Sequence, residues 1–162
     1  VTEINHNLAP WIASVTERLR HGVVLLIDYG YPRHEYFHPQ RSDGTLLCHY
    51  RHHVHHDPFI YPGLQDITAS VDFTAVAEAA LAAGLEVKGY TTQAHFLLGC
   101  GLAEILEEKQ LTGVIERAES GRQARILLLP GEMGERFKVM ALTRNIPGHL
   151  AGFHLADHRA RL

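Results

Sequence analysis

Leu8, Trp11, Ile12, Val15 and Leu19 recur at steps of three and four residues and predict an amphipathic helix near the start of the chain. Pro10 suits its first turn, Asn7 its N-cap, Arg18 and Arg20 its last turn, and Gly22 its end. The period then changes. Five consecutive apolar residues, 23–27, run into Asp28, Tyr29 and Gly30, which is the pattern of a strand buried on both faces. Residues 31–66 lose periodicity, with one strand-like run over 45–50 and turn signals at 42–44 and 61–63. A stretch of that length is expected to be a functional loop rather than an idle connection.

Order returns with Phe73, Val76, Ala77, Ala80 and Leu81, which predict a helix capped by Asp72 and closed by Gly84. Residues 85–91 read as the next strand. A helical region is expected over 93–129, broken near Gly99, Cys100 and Gly101 and again at Gly121. Leu102, Ile105 and Leu106 form one stripe in it, and Leu111, Val114, Ile115 and Ala118 another. Met133 and Gly134 sit in a turn. Phe137, Val139 and Ala141 alternate with Lys138, Met140 and Leu142 in a last strand, and the tail over 145–162 shows no pattern.

This order of elements is an α/β order, with one physical difficulty. A strand as apolar as 23–27 belongs in the middle of a sheet, yet the chain supplies only two other convincing strands. A sheet so small would leave a hydrophobic edge exposed, so either a partner segment is missing or a homodimer covers the edge.

Composition narrows the function classes. The 162 residues carry 46% hydrophobic and 20% charged side chains, which describes a globular protein with one core. The formal charge of −3, with no block of Lys or Arg, argues against a nucleic-acid partner. No stretch approaches the ~20 apolar residues of a membrane helix, so no membrane insertion is expected. Cys48 and Cys100 form no disulfide framework and suggest a reducing compartment. Val1 followed by a polar stretch reads as a processed or trimmed start.

Residues 48–57, "CHYRHHVHHD", hold five histidines, a cysteine and an aspartate. On a strand only alternate residues share a face, so His53 and His55 fall on one side and His52 and His56 on the other. A tetrahedral metal wants three or four convergent ligands, and no HExxH or CxxC accompanies the cluster. No metal is therefore expected, and the histidines read as loop residues or as the lining of a substrate entrance that changes charge near neutral pH.

Five segments in order carry a resemblance: "LLIDYGY" at 25–31, "EYFHPQRSDGTL" at 35–46, "GLQDITASVDF" at 63–73, "TTQAHFLLGCGL" at 91–102 and "MGERFKVMAL" at 133–142. They resemble the MidA-like family of S-adenosylmethionine-dependent protein arginine methyltransferases, whose members include the mitochondrial complex I assembly methyltransferase and bacterial relatives. The resemblance implies the C-terminal part of a class I methyltransferase (Rossmann-like) fold, a mixed sheet with the last strand antiparallel between its two predecessors. A long loop insertion at 31–66 and extra helices at 93–129 complete residues 1–144, and 145–162 form an irregular tail. The four preceding strands and the glycine-rich cofactor turn would lie outside these residues, so S-adenosylmethionine is expected to bind the whole enzyme and not this chain alone. The fragment alone is expected to be inactive. The resemblance further implies an arginine of a protein substrate as acceptor, a complex I subunit in mitochondria. It implies a cytoplasmic location for a bacterial member and the mitochondrial matrix for eukaryotic ones. Where the family carries a histidine, this chain has Ser70.

Ligands of open α/β sheets bind beyond the carboxyl ends of the strands, which puts Asp28, Tyr29 and Gly30 at the useful rim. A carboxylate opposite the reacting nitrogen of a guanidinium would orient it, so Asp28 and Asp66 are the candidate catalytic acids, with turn-capping as the alternative for each. Glu35 is a further acid, either on the substrate or simply solvated. Tyr29 and Tyr31 would wall a slot for a guanidinium by cation–π contact, or pack the core. Gly30 permits close backbone approach or positive φ. Gln65, Thr68 and Gln93 position substrate or, as favoured here, satisfy buried backbone groups. Two other readings stay open: a catalytically silent interaction module, and a histidine-rich metal-binding domain.

Overall fold

The computed structural model describes residues 2–108 and 113–162. Helix α1 spans Leu8–Thr16, one turn shorter than the sequence predicts. The Thr16 hydroxyl donates to the Ile12 carbonyl at 2.7 Å, and the chain turns at Glu17. Leu19 packs on the core from this turn, and Gly22 opens the following strand instead of closing the helix. Asn7 occupies the N-cap without a side-chain bond, while Asn5 Oδ1 accepts from the Asn7 amide. Of the predicted stripe, Ile12 is buried, but Trp11 and Val15 lie exposed.

Strand β1 runs Gly22–Tyr31 and is buried on one face only, against expectation. Val24 and Leu26 pack on the core formed by Ile12, Phe73, Val76, Met140 and Leu142. Val23, Leu25 and Ile27, on the other face, remain 42%, 42% and 49% exposed. Among the described residues, none of these three belongs to a core cluster.

A four-residue helix, α2 at Arg33–Tyr36, follows. The predicted loop at 31–66 then proves to be structured. Strands β2 (Leu47–Tyr50), β3 (His53–His55) and β4 (Asp66–Thr68) form a separate antiparallel sheet in the order β3-β2-β4. Arg51 and His52, at φ 46° and 67°, make the two-residue hairpin turn between β2 and β3. Strand β5, Val71–Asp72, returns to the main sheet and pairs in parallel with Gly30 and Tyr31.

Helix α3, Phe73–Ala82, matches its sequence signals. Asp72 Oδ1 accepts from the Thr74 and Ala75 amides, and Gly84 at φ 75° ends the helix with Gly84 N–H bonded to Leu81 and Leu85 N–H to Ala80. Strand β6 spans Glu86–Thr92. Helices α4 (Gln93–Gly99) and α5 (Leu102–Glu108) break at Cys100–Gly101 as expected. Helix α6, Val114–Leu128, runs unbroken through Gly121, whose missing side chain faces open space, so the predicted break there is wrong. Its Val114 and Ile115 stand exposed rather than forming a core stripe, and Leu111 of that stripe lies outside the described residues. Met133 and Gly134 belong to a short helix, α7 at Met133–Arg136, not a turn.

Strand β7, Phe137–Arg144, completes a sheet of order β5-β1-β7-β6. It is antiparallel to both β1 and β6, so those two run parallel and their carboxyl ends share one rim. Arg144 at the far end donates to Thr16, Leu19 and Ala83 carbonyls, tying the ends of α1 and α3 to the sheet.

The tail has no periodicity yet is docked. Phe153, in a short 3-10 turn at Ala151–Phe153, is buried against Phe96 and sits where a side chain on Gly89 would be. His158 N–H donates to Tyr90 O at 2.6 Å, and the Arg159 guanidinium donates to Val87 O, so the tail covers the outer edge of β6.

Candidate functional site

Two cavities flank the carboxyl half of β1. A largely apolar groove of about 850 Å³ opens between the N-terminal segment, β1 and α3. A smaller and more polar cleft of about 440 Å³ opens between the ends of β1 and β6, the start of β7 and the tail. Asp28 lines the groove and Lys138 the cleft, and the two residues stand opposite each other in the β1–β7 register.

Local chemistry explains how the groove is framed. The Glu3 carboxylate accepts from the Thr45 and Leu46 amides, the Thr45 hydroxyl and the Tyr36 hydroxyl. Burial alone would raise its pKa, but these donors outweigh it and hold the carboxyl below its ordinary range. Arg33 forks onto both oxygens of Glu78 and reaches Asp72 at 3.4 Å, fixing α2 against α3.

The sequence-predicted site residues divide. Asp28 is exposed on the groove, with Oδ1 accepting from the next amide, Tyr29 N–H, at 2.8 Å. Gly30 has ordinary φ and is needed for space, since a Cβ there would lie 2.3 Å from Val71 O. Tyr29 and Tyr31 do not wall a common slot. Tyr29 meets Phe137 edge-on at 5.6 Å, and the face of Tyr31 is already occupied by the Arg41 guanidinium at 3.8 Å.

Glu35 lines the polar cleft and pairs with Arg161. Asp66 starts β4 opposite His49 in the small sheet, and it lines neither the groove nor the cleft. Gln65, Thr68 and Gln93 bond backbone carbonyls of Pro58, Leu47 and Leu127, the role the sequence favours. The histidines of 48–57 lie on the β2–β3 hairpin and the turn after it. Cys48 is buried, the His55 ring is edge-on to Tyr61, and no group of three ligands converges among the described residues. Ser70 donates its amide to the Thr45 hydroxyl at the groove.

Sequence reasoning missed the groups of the polar cleft: Tyr90, His95, Lys138, His158 and Arg161. One signal for them was legible, a lysine inside the otherwise apolar strand 137–142. Burial holds the Lys138 ammonium below its ordinary pKa, although Glu35 and Glu135 pull the other way. Burial, then Arg161 and His95, lower that of His158. The Tyr90 hydroxyl is pushed well up by burial and by Glu35.

A nucleoside cofactor would need a glycine-rich turn between a strand and a helix, with an acid for its ribose. Neither cavity is lined by such a turn among the described residues.

Residues 1–91 match the family of S-adenosyl-L-methionine-dependent methyltransferases. The mitochondrial protein arginine methyltransferase NDUFAF7 homolog of Drosophila melanogaster is 33% identical over 132 residues, 80% of this chain and 28% of that protein. The human mitochondrial protein arginine methyltransferase NDUFAF7 is 30% identical over 127 residues, 75% of this chain and 26% of that protein. Two crystal structures from Burkholderia thailandensis superpose with TM-score 0.95 and 44% identity, over 99% of this chain and 43% or 42% of theirs. One of them is bound to S-adenosyl-homocysteine. The chain thus spans about a quarter of the length of its curated relatives.

Proposed function

The chain belongs to the S-adenosyl-L-methionine-dependent methyltransferase family, and from that premise we propose that it forms the acceptor-side part of a protein arginine methyltransferase. The open edge of β1 carries this reading. Between Gly22 and Tyr29 the strand pairs with β7 alone, and its Val23, Leu25 and Ile27 are exposed. An apolar strand left so incomplete invites further strands, and relatives more than twice as long supply the chain to make them. In this reading the cofactor is held by those strands, and the rim of β1, β7 and β6 receives the acceptor.

Asp28 is the residue proposed to hold the acceptor guanidinium. Its carboxylate accepts two parallel N–H bonds, which orients the planar group and keeps positive charge on the bonded nitrogens. The third nitrogen is thereby turned toward the methyl donor. Asp66 is dropped from the catalytic role, because it lines neither cavity. Names of the relatives support an arginine acceptor, and the resemblance supports a respiratory complex I subunit as its bearer.

Substituting Asp28→Asn in the whole enzyme tests the role. Methyl transfer to arginine is expected to fall by a factor on the order of 100 or more, with cofactor affinity retained. Undiminished turnover would make Asp28 a turn residue. An interface between two copies at β1, seen as a dimer abolished by Leu25→Lys, would replace the missing strands with a second chain.

A further inference from the structure

The polar cleft holds more donors than its own acceptors use. Tyr90 is 1% exposed and lines the cleft, and its hydroxyl has no hydrogen-bond partner among the described residues. A buried hydroxyl left unbonded is costly, so such a group marks a place where a partner belongs. The Lys138 ammonium donates to the Glu135 carbonyl, which takes one of its three protons. His95 spends Nδ1 on the Thr92 hydroxyl at 2.8 Å and keeps Nε2, and its ring lies 5.8 Å from that of His158.

Three cations, Arg136, Lys138 and Arg161, line the cleft against two carboxylates, Glu35 and Glu135. Glu35 is already engaged by Arg161 and approached by His34 at 3.6 Å, so it is not waiting for a cation. The cleft therefore has an excess of one positive charge and a set of neutral donors. That balance suits a monoanion with two acceptor oxygens, not a phosphate dianion.

We propose that this cleft is a binding site for a carboxylate, received by Tyr90 Oη, Lys138 Nζ and the His95 imidazole. An acidic side chain of the acceptor protein or a free carboxylic acid would present the same group. The first source rests on the methyltransferase reading; the site itself does not.

N-acetyl-glutamate α-amide is the probe, followed by NMR of the lysine and imidazole side chains. Binding is expected to saturate and to raise the titration midpoints of Lys138 and His158, since an anion favours their charged forms. Tyr90→Phe, which keeps the ring on Phe73 at 5.2 Å, should weaken binding about tenfold, and Lys138→Met should abolish it. An equal response to N-acetyl-glutamine α-amide, tighter binding of inorganic phosphate, or unchanged affinity in both variants would overturn the proposal. Arginine peptides with and without a neighbouring glutamate then separate the sources in the whole enzyme. A lower KM for the acidic peptide, lost in Tyr90→Phe, supports the acceptor side chain, and equal KM values overturn that source. Probe binding in an enzyme without methyl transfer would sink the methyltransferase reading and leave the site standing.

Discussion

The two edges of the main sheet end differently. At β6 the chain's own tail finishes the edge: Tyr90 and Val87 carbonyls receive His158 and Arg159, and Phe153 fills the space over Gly89. At β1 the backbone over 22–29 pairs with β7 on one side and faces no strand on the other among the described residues, and three large aliphatic side chains are exposed beside it. The more apolar of the two in sequence is the one left open, since 23–27 are all aliphatic while β6 carries Glu86, Lys88, Thr91 and Thr92. This separates a self-sufficient side of the fold, finished by the tail, from the side proposed to receive further strands.

The β6 edge is the place to break that comparison with the largest effect. Phe153→Ala removes a buried ring packed on Phe96 and is expected to cost about 3 kcal/mol, read as a lower midpoint in urea unfolding. Filling the same space from the other side should be comparable, because a Cβ on Gly89 would meet the Phe153 ring at 2.3 Å. A small effect for both would mean that the tail rests on the sheet without sealing it.

Leu25→Lys probes the other edge and sharpens the contrast. In the 162-residue chain the change should lie within about 0.5 kcal/mol, since Leu25 is already 42% exposed. In the whole enzyme, where further strands and their helices are proposed to cover it, the same change should cost about 2 kcal/mol. Equal costs in the two settings would remove the argument for a covered β1.

These contrasts also explain what the sequence could and could not reveal. Strand β1 was legible from its five consecutive aliphatic residues, β7 from its alternation and helix α3 from its 3.6-residue period, with Asp72 and Gly84 punctuating it. Of the small sheet only the strand-like run over 45–50 was legible, as β2; β3 and β4 were not, because they are three residues long and their pairing depends on register across the Arg51–His52 turn and the following loop. The docked tail was invisible for a related reason: it is held by single backbone bonds and one ring, which leave no periodic trace. At the site, Asp28 and Gly30 could be placed from the end of one strand. The polar cleft could not, because Glu35, Tyr90, His95, Lys138 and Arg161 come from separate segments that only the topology brings together.

A smaller effect is expected where Glu3 of the apolar groove meets the loop. The Glu3 carboxylate, held below its ordinary pKa by the Thr45 and Leu46 amides, stabilises the junction of the N-terminal segment and residue 45. Its folded pKa lies below its unfolded one, so that stability is present above the unfolded value of about 4.3 and is lost as pH falls through the folded value. Glu3→Gln should cost about 1 kcal/mol at neutral pH and nearly nothing in acid. An equal cost at both pH values would assign the effect to shape, not charge.

The smallest predicted effect returns to the β6 edge. His158 is held below its ordinary pKa by burial first, then by Arg161 and His95, with Lys138 adding to them and Asp157 opposing. A histidine whose folded pKa is depressed resists protonation in the folded state, so the unfolded chain binds more protons as pH falls below about 6.5. Stability of the tail on β6 is therefore full above that pH and declines as the solution acidifies toward the folded pKa. Because His158 also donates its amide to Tyr90 O, the loosening should appear locally, as faster exchange of the His158 amide after correction for intrinsic rates. The change from pH 7.5 to 5.5 should be less than about 1 kcal/mol, and His158→Gln should remove its pH dependence while leaving β1 untouched. If exchange along β1 followed the same pH profile, the two edges would be coupled, and the self-sufficiency of the β6 side would be lost as an explanation.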